Sequence, residues 1–70
     1  RSYSPYRNLI AELDAHQLSY RALGALLGIS NMTVSGKMRC KQKFTANEIA
    51  KLVEIFRKPA EYLLQRDDQN

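Results

Sequence analysis

The sequence predicts an all-α fold, a compact bundle of five short helices. Three observations carry that prediction. Apolar residues recur at i, i+3, i+4 and i+7 in successive windows, the spacing of one helix face. Residues that start and stop helices fall between those windows. No window alternates apolar and polar residues as a half-buried strand does. Seventy residues make one domain, near the lower limit for a chain that folds on a single core.

Each element follows from its residues. Ser4-Pro5 reads as a helix start, with serine as N-cap and proline at the first helical position, where its missing N–H costs nothing. Tyr6, Leu9, Ile10 and Leu13 then form one apolar stripe, and the first helix should end near His16. Ser19 caps a second helix whose inner face is Ala22, Leu23, Leu26 and Leu27. Gly28 supplies the left-handed conformation that stops it. Ile29 plugs the corner, Ser30 caps a third helix, and Val34 with Met38 are that helix's apolar residues. Cys40 to Phe44 reads as a basic loop. Thr45-Ala46-Asn47-Glu48 is a capping box, in which hydroxyl and carboxylate each satisfy an orphan N–H of the helix start. Ile49, Leu52, Val53 and Phe56 stripe the fourth helix; Pro59 opens a short fifth, anchored by Tyr62 and Leu63.

Composition bounds the function. With 44% hydrophobic and 26% charged residues the chain is globular rather than disordered. A core of this size supplies roughly 3–5 kcal/mol, so a partner or a second copy can add to stability. The single cysteine, Cys40, excludes an internal disulfide and a Cys-rich zinc site, and suits a reducing cytosol. The longest stretch without polar side chains, Ala22 to Ile29, is far too short to span a bilayer. The chain opens on Arg1 without a methionine, so residues 1–5 read as an N-terminal extension or a foreign remnant, or the chain as part of a longer protein. Gln65 to Asn70 reads as a flexible polar tail.

Charge placement says more than the net charge of +4. No acidic residue lies between Asp14 and Glu48, while Arg21, Lys37, Arg39, Lys41 and Lys43 all do. The same window holds the two helices hinged at Gly28. Little of the third helix is apolar, so most of its surface must face water or a polar ligand. A hinged helix pair with an acid-free basic flank is the electrostatic footprint of a protein that sits on phosphates, and the second helix of such a pair suits the DNA major groove.

Leu18-Ser19, Leu23, Gly24 where alanine is favoured, Gly28-Ile29-Ser30 and Val34-Ser35, followed by Lys37-Met38-Arg39-Cys40 and Phe44-Thr45…Glu48-Ile49, resemble the lambda-repressor-like, Cro/cI-type helix-turn-helix family, in its phage-associated repressor branch. The likeness runs over about residues 6–64, the expected DNA-binding domain. It departs at three places. Arg39-Cys40 stands where asparagine-glycine is usual, so a strained or differently shaped exit from the third helix is expected, because cysteine disfavours positive φ. Gly36 within the third helix lowers helix propensity by roughly 1 kcal/mol. Arg57-Lys58 replaces a glycine and an apolar residue after the fourth.

The resemblance implies a sequence-specific regulator of double-stranded DNA, most simply a prokaryotic or prophage repressor in the cytoplasm, binding a pseudo-palindromic operator as a homodimer. It implies base contacts from Asn31, Met32 and Thr33, with Ser35, Gly36 and Lys37 one turn on. Asn31 suits adenine, Met32 or the Thr33 methyl suits a thymine methyl, and Lys37 suits guanine. Asn31 also fits a role extending the Ser30 cap, and Gly36 is either room for close approach or a weak helical position. Phosphate contacts are expected from Ser19, Tyr20, Arg21, Arg39, Lys41 and Lys43. For Tyr20 the alternative is an aromatic cap on the bundle, and for Arg21 an exposed salt bridge with Glu12 or Asp14. His16 has no companion at ligand spacing, so no metal or cofactor is expected; nor are catalytic residues or a small-molecule substrate. Cys40 reads as a small loop residue. A protein-interaction module of antitoxin or anti-repressor type, or the DNA-targeting domain of a larger protein, are the rival readings.

Overall fold

The computed structural model describes residues 4–68, and within them the chain forms five helices and no strand: α1 (Arg7–Ala15), α2 (Tyr20–Leu27), α3 (Asn31–Met38), α4 (Ala46–Phe56) and α5 (Ala60–Leu63). Leu9, Leu23, Val34, Met38, Leu52 and Leu63 are fully buried at the centre, so every helix contributes to one core. Each such side chain contributes on the order of 1.5–3 kcal/mol by leaving water. Phe44 closes the core from the loop before α4, its ring edge-on to Tyr6 at 5.8 Å. Burial and a hydrogen bond with the Cys40 thiol push the Tyr6 phenol up to about 12.

The helix-turn-helix rests on two glycines. Gly28 takes φ 77°, the left-handed conformation that ends α2. Gly24 is needed for a different reason. A Cβ there would lie 2.6 Å from the Ile29 carbonyl oxygen, so only glycine lets the start of α3 pack this closely on α2. Ser19 and Ser30 cap α2 and α3 as expected, accepting the N–H groups of Ala22 and Thr33, both at 3.1 Å. Thr45 and Glu48 form the complete capping box of α4.

Several expectations are corrected. Ser4 and Pro5 do not start α1, which begins two residues later from an N-cap at Tyr6 that makes no side-chain cap. The Ser4 hydroxyl instead donates to the Met38 carbonyl at 2.6 Å, tying the N-terminal strand of chain to the end of α3. The Pro5 carbonyl accepts from the N–H groups of Arg7 and Asp67, both at 2.9 Å. Ser4 and Pro5 are thus buried parts of the domain, and Gln65 to Asp68 lie back on α1, through Asn8–Gln65 and Arg7–Asp67 contacts of 3.2 and 3.1 Å. Residues 1–3 of the expected extension and 69–70 of the expected tail lie outside the described residues. Leu26 is 49% exposed, so the inner face of α2 is Leu23, Gly24 and Leu27. Pro59 opens α5 as expected, from the N-cap position.

The expected strain after α3 is present: Cys40 has φ 65°. Arg57, at the usual glycine position after α4, has φ 57°, and Gln17 after α1 has φ 55°. Each non-glycine residue held there costs roughly 1–2 kcal/mol.

Candidate nucleic-acid interface

α3 is built to be held at one end and open at the other. The Ser30 hydroxyl accepts the Thr33 N–H and lies 2.8 Å from the Thr33 hydroxyl, which fixes the first turn. Asn31 and Met32 point out of that turn; both are exposed, Met32 to 81%. Thr33 is half-buried, its hydroxyl engaged with the cap. No acid lies in the first turn, so the partial positive charge of the helix N-terminus stands undiminished behind these side chains. The opposite face, Val34 and Met38, is in the core.

A second group assembles beside it. Ser19 and Tyr20 from the start of α2 and Ser35 and Arg39 from the end of α3 line one cavity of about 370 Å³ together with Ile10, Leu13, Asp14 and Leu18. Four residues from two separate sequence stretches thereby meet. Tyr20 is half-buried, and both Tyr20 and Arg39 are engaged in interactions. The Arg39 Nε–H donates to the Ser35 carbonyl at 3.4 Å. Arg21 is exposed on the first turn of α2. Its suggested partner Glu12 is committed elsewhere, accepting from Lys58 at 3.2 Å and from the Tyr62 hydroxyl at 3.3 Å. The third group is the loop after α3, where Lys41 and Lys43 are exposed.

Two candidates are placed differently. Lys37 is only 5% exposed, and its ammonium donates to the Glu48 carboxylate at 2.6 Å and to the Lys43 carbonyl at 3.1 Å, 6.0 Å from the centre of the Phe44 ring. Its charge is consumed inside the protein, so it is not positioned to reach a guanine or a phosphate. Gly36 is also buried and turned toward the loop, where a Cβ would meet the Gln42 side chain at 3.4 Å.

Glu48 was legible as a cap but not as the counter-ion of Lys37. Burial pushes its carboxyl up, but the Lys37 ammonium and the Thr45 N–H and hydroxyl outweigh that and hold it below the usual carboxylate range. One signal pointed to it: Glu48 is the first acid after Asp14, directly beyond the basic run. The places of Asp14 in the lining of the cavity and of Gln42 beside Gly36 appear only once the helices are assembled.

The arrangement has solved and sequence relatives. The fold matches the P22 c2 repressor protein, whose crystal structure is in complex with synthetic operator 9T in the presence of Tl+. The match has a TM-score of 0.73 at 20% identity, over 91% of this chain and 97% of that one. The five-helix bundle with a helix-turn-helix expected from the residues is therefore the fold observed. No curated protein matches the sequence. The BetR domain matches residues 7–70, nearly all of the sequence, and the chain belongs to the BetR domain family.

Proposed function

We propose that this protein is a sequence-specific double-stranded-DNA-binding transcriptional regulator, a prokaryotic or prophage repressor that acts in the cytoplasm by occupying an operator rather than by chemistry. The observation that carries the reading is the first turn of α3. Asn31 and the 81%-exposed Met32 project from a capped helix start, in a stretch of chain whose exposed cations Arg21, Arg39, Lys41 and Lys43 have no acid among them between Asp14 and Glu48. An exposed methionine at a helix start buries little surface in the fold and suits the apolar methyl of thymine, and Asn31 suits the paired donor and acceptor of adenine. Ser19, Tyr20, Arg21, Arg39, Lys41 and Lys43 supply phosphate contacts that fix register without reading sequence. Thr33 and Ser35 are secondary readers. The structural neighbour, a repressor bound to synthetic operator, supports this use of the fold. No helix among the described residues is long and apolar enough to cross a membrane.

One domain of this size covers few base pairs, so two copies on a pseudo-palindrome are expected, with half-sites centred roughly 10 bp apart or a multiple of that. Selection from a random duplex pool at physiological salt tests the proposal. Enrichment of a palindromic motif with that spacing supports it. Weak retention that vanishes with salt and enriches no motif leaves only non-specific phosphate attraction and defeats it.

A further inference from the structure

Every exposed cation of the loop after α3 hangs from a segment that is laced back onto α3 by buried contacts, and Lys37 is at their centre. The Lys41 N–H donates to the Gly36 carbonyl at 2.9 Å and the Cys40 N–H to the Lys37 carbonyl at 3.1 Å. The Lys37 ammonium then reaches across the loop to the Lys43 carbonyl (3.1 Å) and to Glu48 (2.6 Å). The same Glu48 oxygen accepts the Thr45 N–H at 2.9 Å, which ends the loop. A single buried ion pair therefore joins the last turn of α3, the carbonyl of Lys43 and the first turn of α4.

We propose that Lys37 is a positioning residue: through Glu48 and the Lys43 carbonyl it holds the basic loop in register with the reading turn of α3, so that Lys41 and Lys43 meet phosphates while Asn31 and Met32 meet bases. The proposal rests on the DNA-binding reading above. It assigns to a lysine of the recognition helix a role that involves no contact with DNA. The physical ground is the cost of the arrangement: a long, flexible ammonium side chain is desolvated where an apolar residue fills the space more simply, and what it gains is a fixed donor to a loop carbonyl. Such polar anchoring selects one loop geometry where apolar packing accepts several.

The test is a set of variants measured on the DNA motif selected with the natural sequence. In Lys37→Met/Glu48→Gln the methionine refills the slot and the glutamine keeps an acceptor for the Thr45 N–H. Binding is measured on protein confirmed folded by circular dichroism at the assay temperature. We expect operator affinity to fall about tenfold, with the slope of log affinity against log salt reduced by about one to two units, as one or two phosphate contacts are lost. Base preference at the positions read by Asn31 and Met32 stays. In a Lys41→Ala/Lys43→Ala background the same replacement has little further effect, because the groups it positions are gone. Glu48→Gln alone keeps an acceptor for the Thr45 N–H but leaves the buried Lys37 ammonium without its counter-ion, so it is the less stable variant; measured where it is folded, it shows the same loss. Wild-type affinity and salt slope in folded variants overturn the proposal, as does an undiminished loss in the Lys41→Ala/Lys43→Ala background. Failure of the natural sequence to select any motif overturns the DNA-reading itself, and is seen before any variant is made.

Discussion

Asn31 and Met32 open α3 into solvent, while Lys37 and Met38 close it inside the protein, although about one and a half helical turns separate the two pairs. An ordinary surface helix is divided along its length into a buried and an exposed face. α3 is divided end to end as well. Its first turn is anchored by its own cap and presents side chains; its last turn presents almost nothing and is gripped by Ser4, Glu48 and the loop. So polar a helix is fixed in place by its buried end, and its first turn is left open to solvent.

The largest effects are expected at the buried end. Lys37→Ala strands the Glu48 carboxylate without its counter-ion and should cost about 3–5 kcal/mol, comparable to the whole stability of a small domain. Urea unfolding should show the domain largely unfolded near room temperature, whereas Lys41→Ala should stay within about 0.5 kcal/mol of the natural sequence. The pair also sets an acid limit. Because the folded Glu48 carboxyl sits below its unfolded value, its contribution is complete above the ordinary carboxylate range, near pH 4–5, and is lost as pH falls through the lower folded value. Thermal melts from pH 6 to pH 2 should fall less steeply for Glu48→Gln than for the natural sequence.

At the exposed end the effects belong to binding. Asn31→Ala or Met32→Ala should relax preference at one or two base positions, on the order of 1–3 kcal/mol against the selected site, with melting temperature barely changed. Thr33→Ala should do both, since its hydroxyl also meets the Ser30 cap. Lys41→Ala or Lys43→Ala should weaken all DNA alike and lower the salt slope by about one unit. The smallest effect is expected away from both ends. Arg57→Gly relieves a left-handed residue at the exposed end of α4 and should raise stability by about 0.5–1 kcal/mol, part of the relief being offset by the freer unfolded chain. Differential scanning calorimetry measures it.

How far the sequence could be read depended on the reach of each interaction. The Gly28 stop, the Ser19 and Ser30 caps and the Thr45–Glu48 box were legible because their partners lie within four residues. The bundle followed from apolar spacing, and the strained exit at Cys40 from a residue ill-suited to positive φ. Ser4 and Lys37 were misread for the opposite reason: their partners lie 34 and 11 residues away. A serine before proline looks like a cap, and a lysine in a basic run looks like a surface charge, until the tertiary partner is in view. Leu26 kept helical spacing yet turned outward, since α2 is covered on a narrower face than its composition suggested. The meeting of Ser19 and Tyr20 with Ser35 and Arg39 needed the crossing of α2 and α3, which no spacing rule supplies.

The division of α3, and the reading built on it, are tested most directly by following backbone amide resonances as the selected duplex is added. The largest shifts are expected at Ser30–Ser35, at Ser19–Arg21 and at Arg39–Lys43, with Glu12 and its partners Lys58 and Tyr62 nearly unmoved. Shifts centred on α5 and the Glu12–Lys58 face, with the first turn of α3 silent, would contradict that reading.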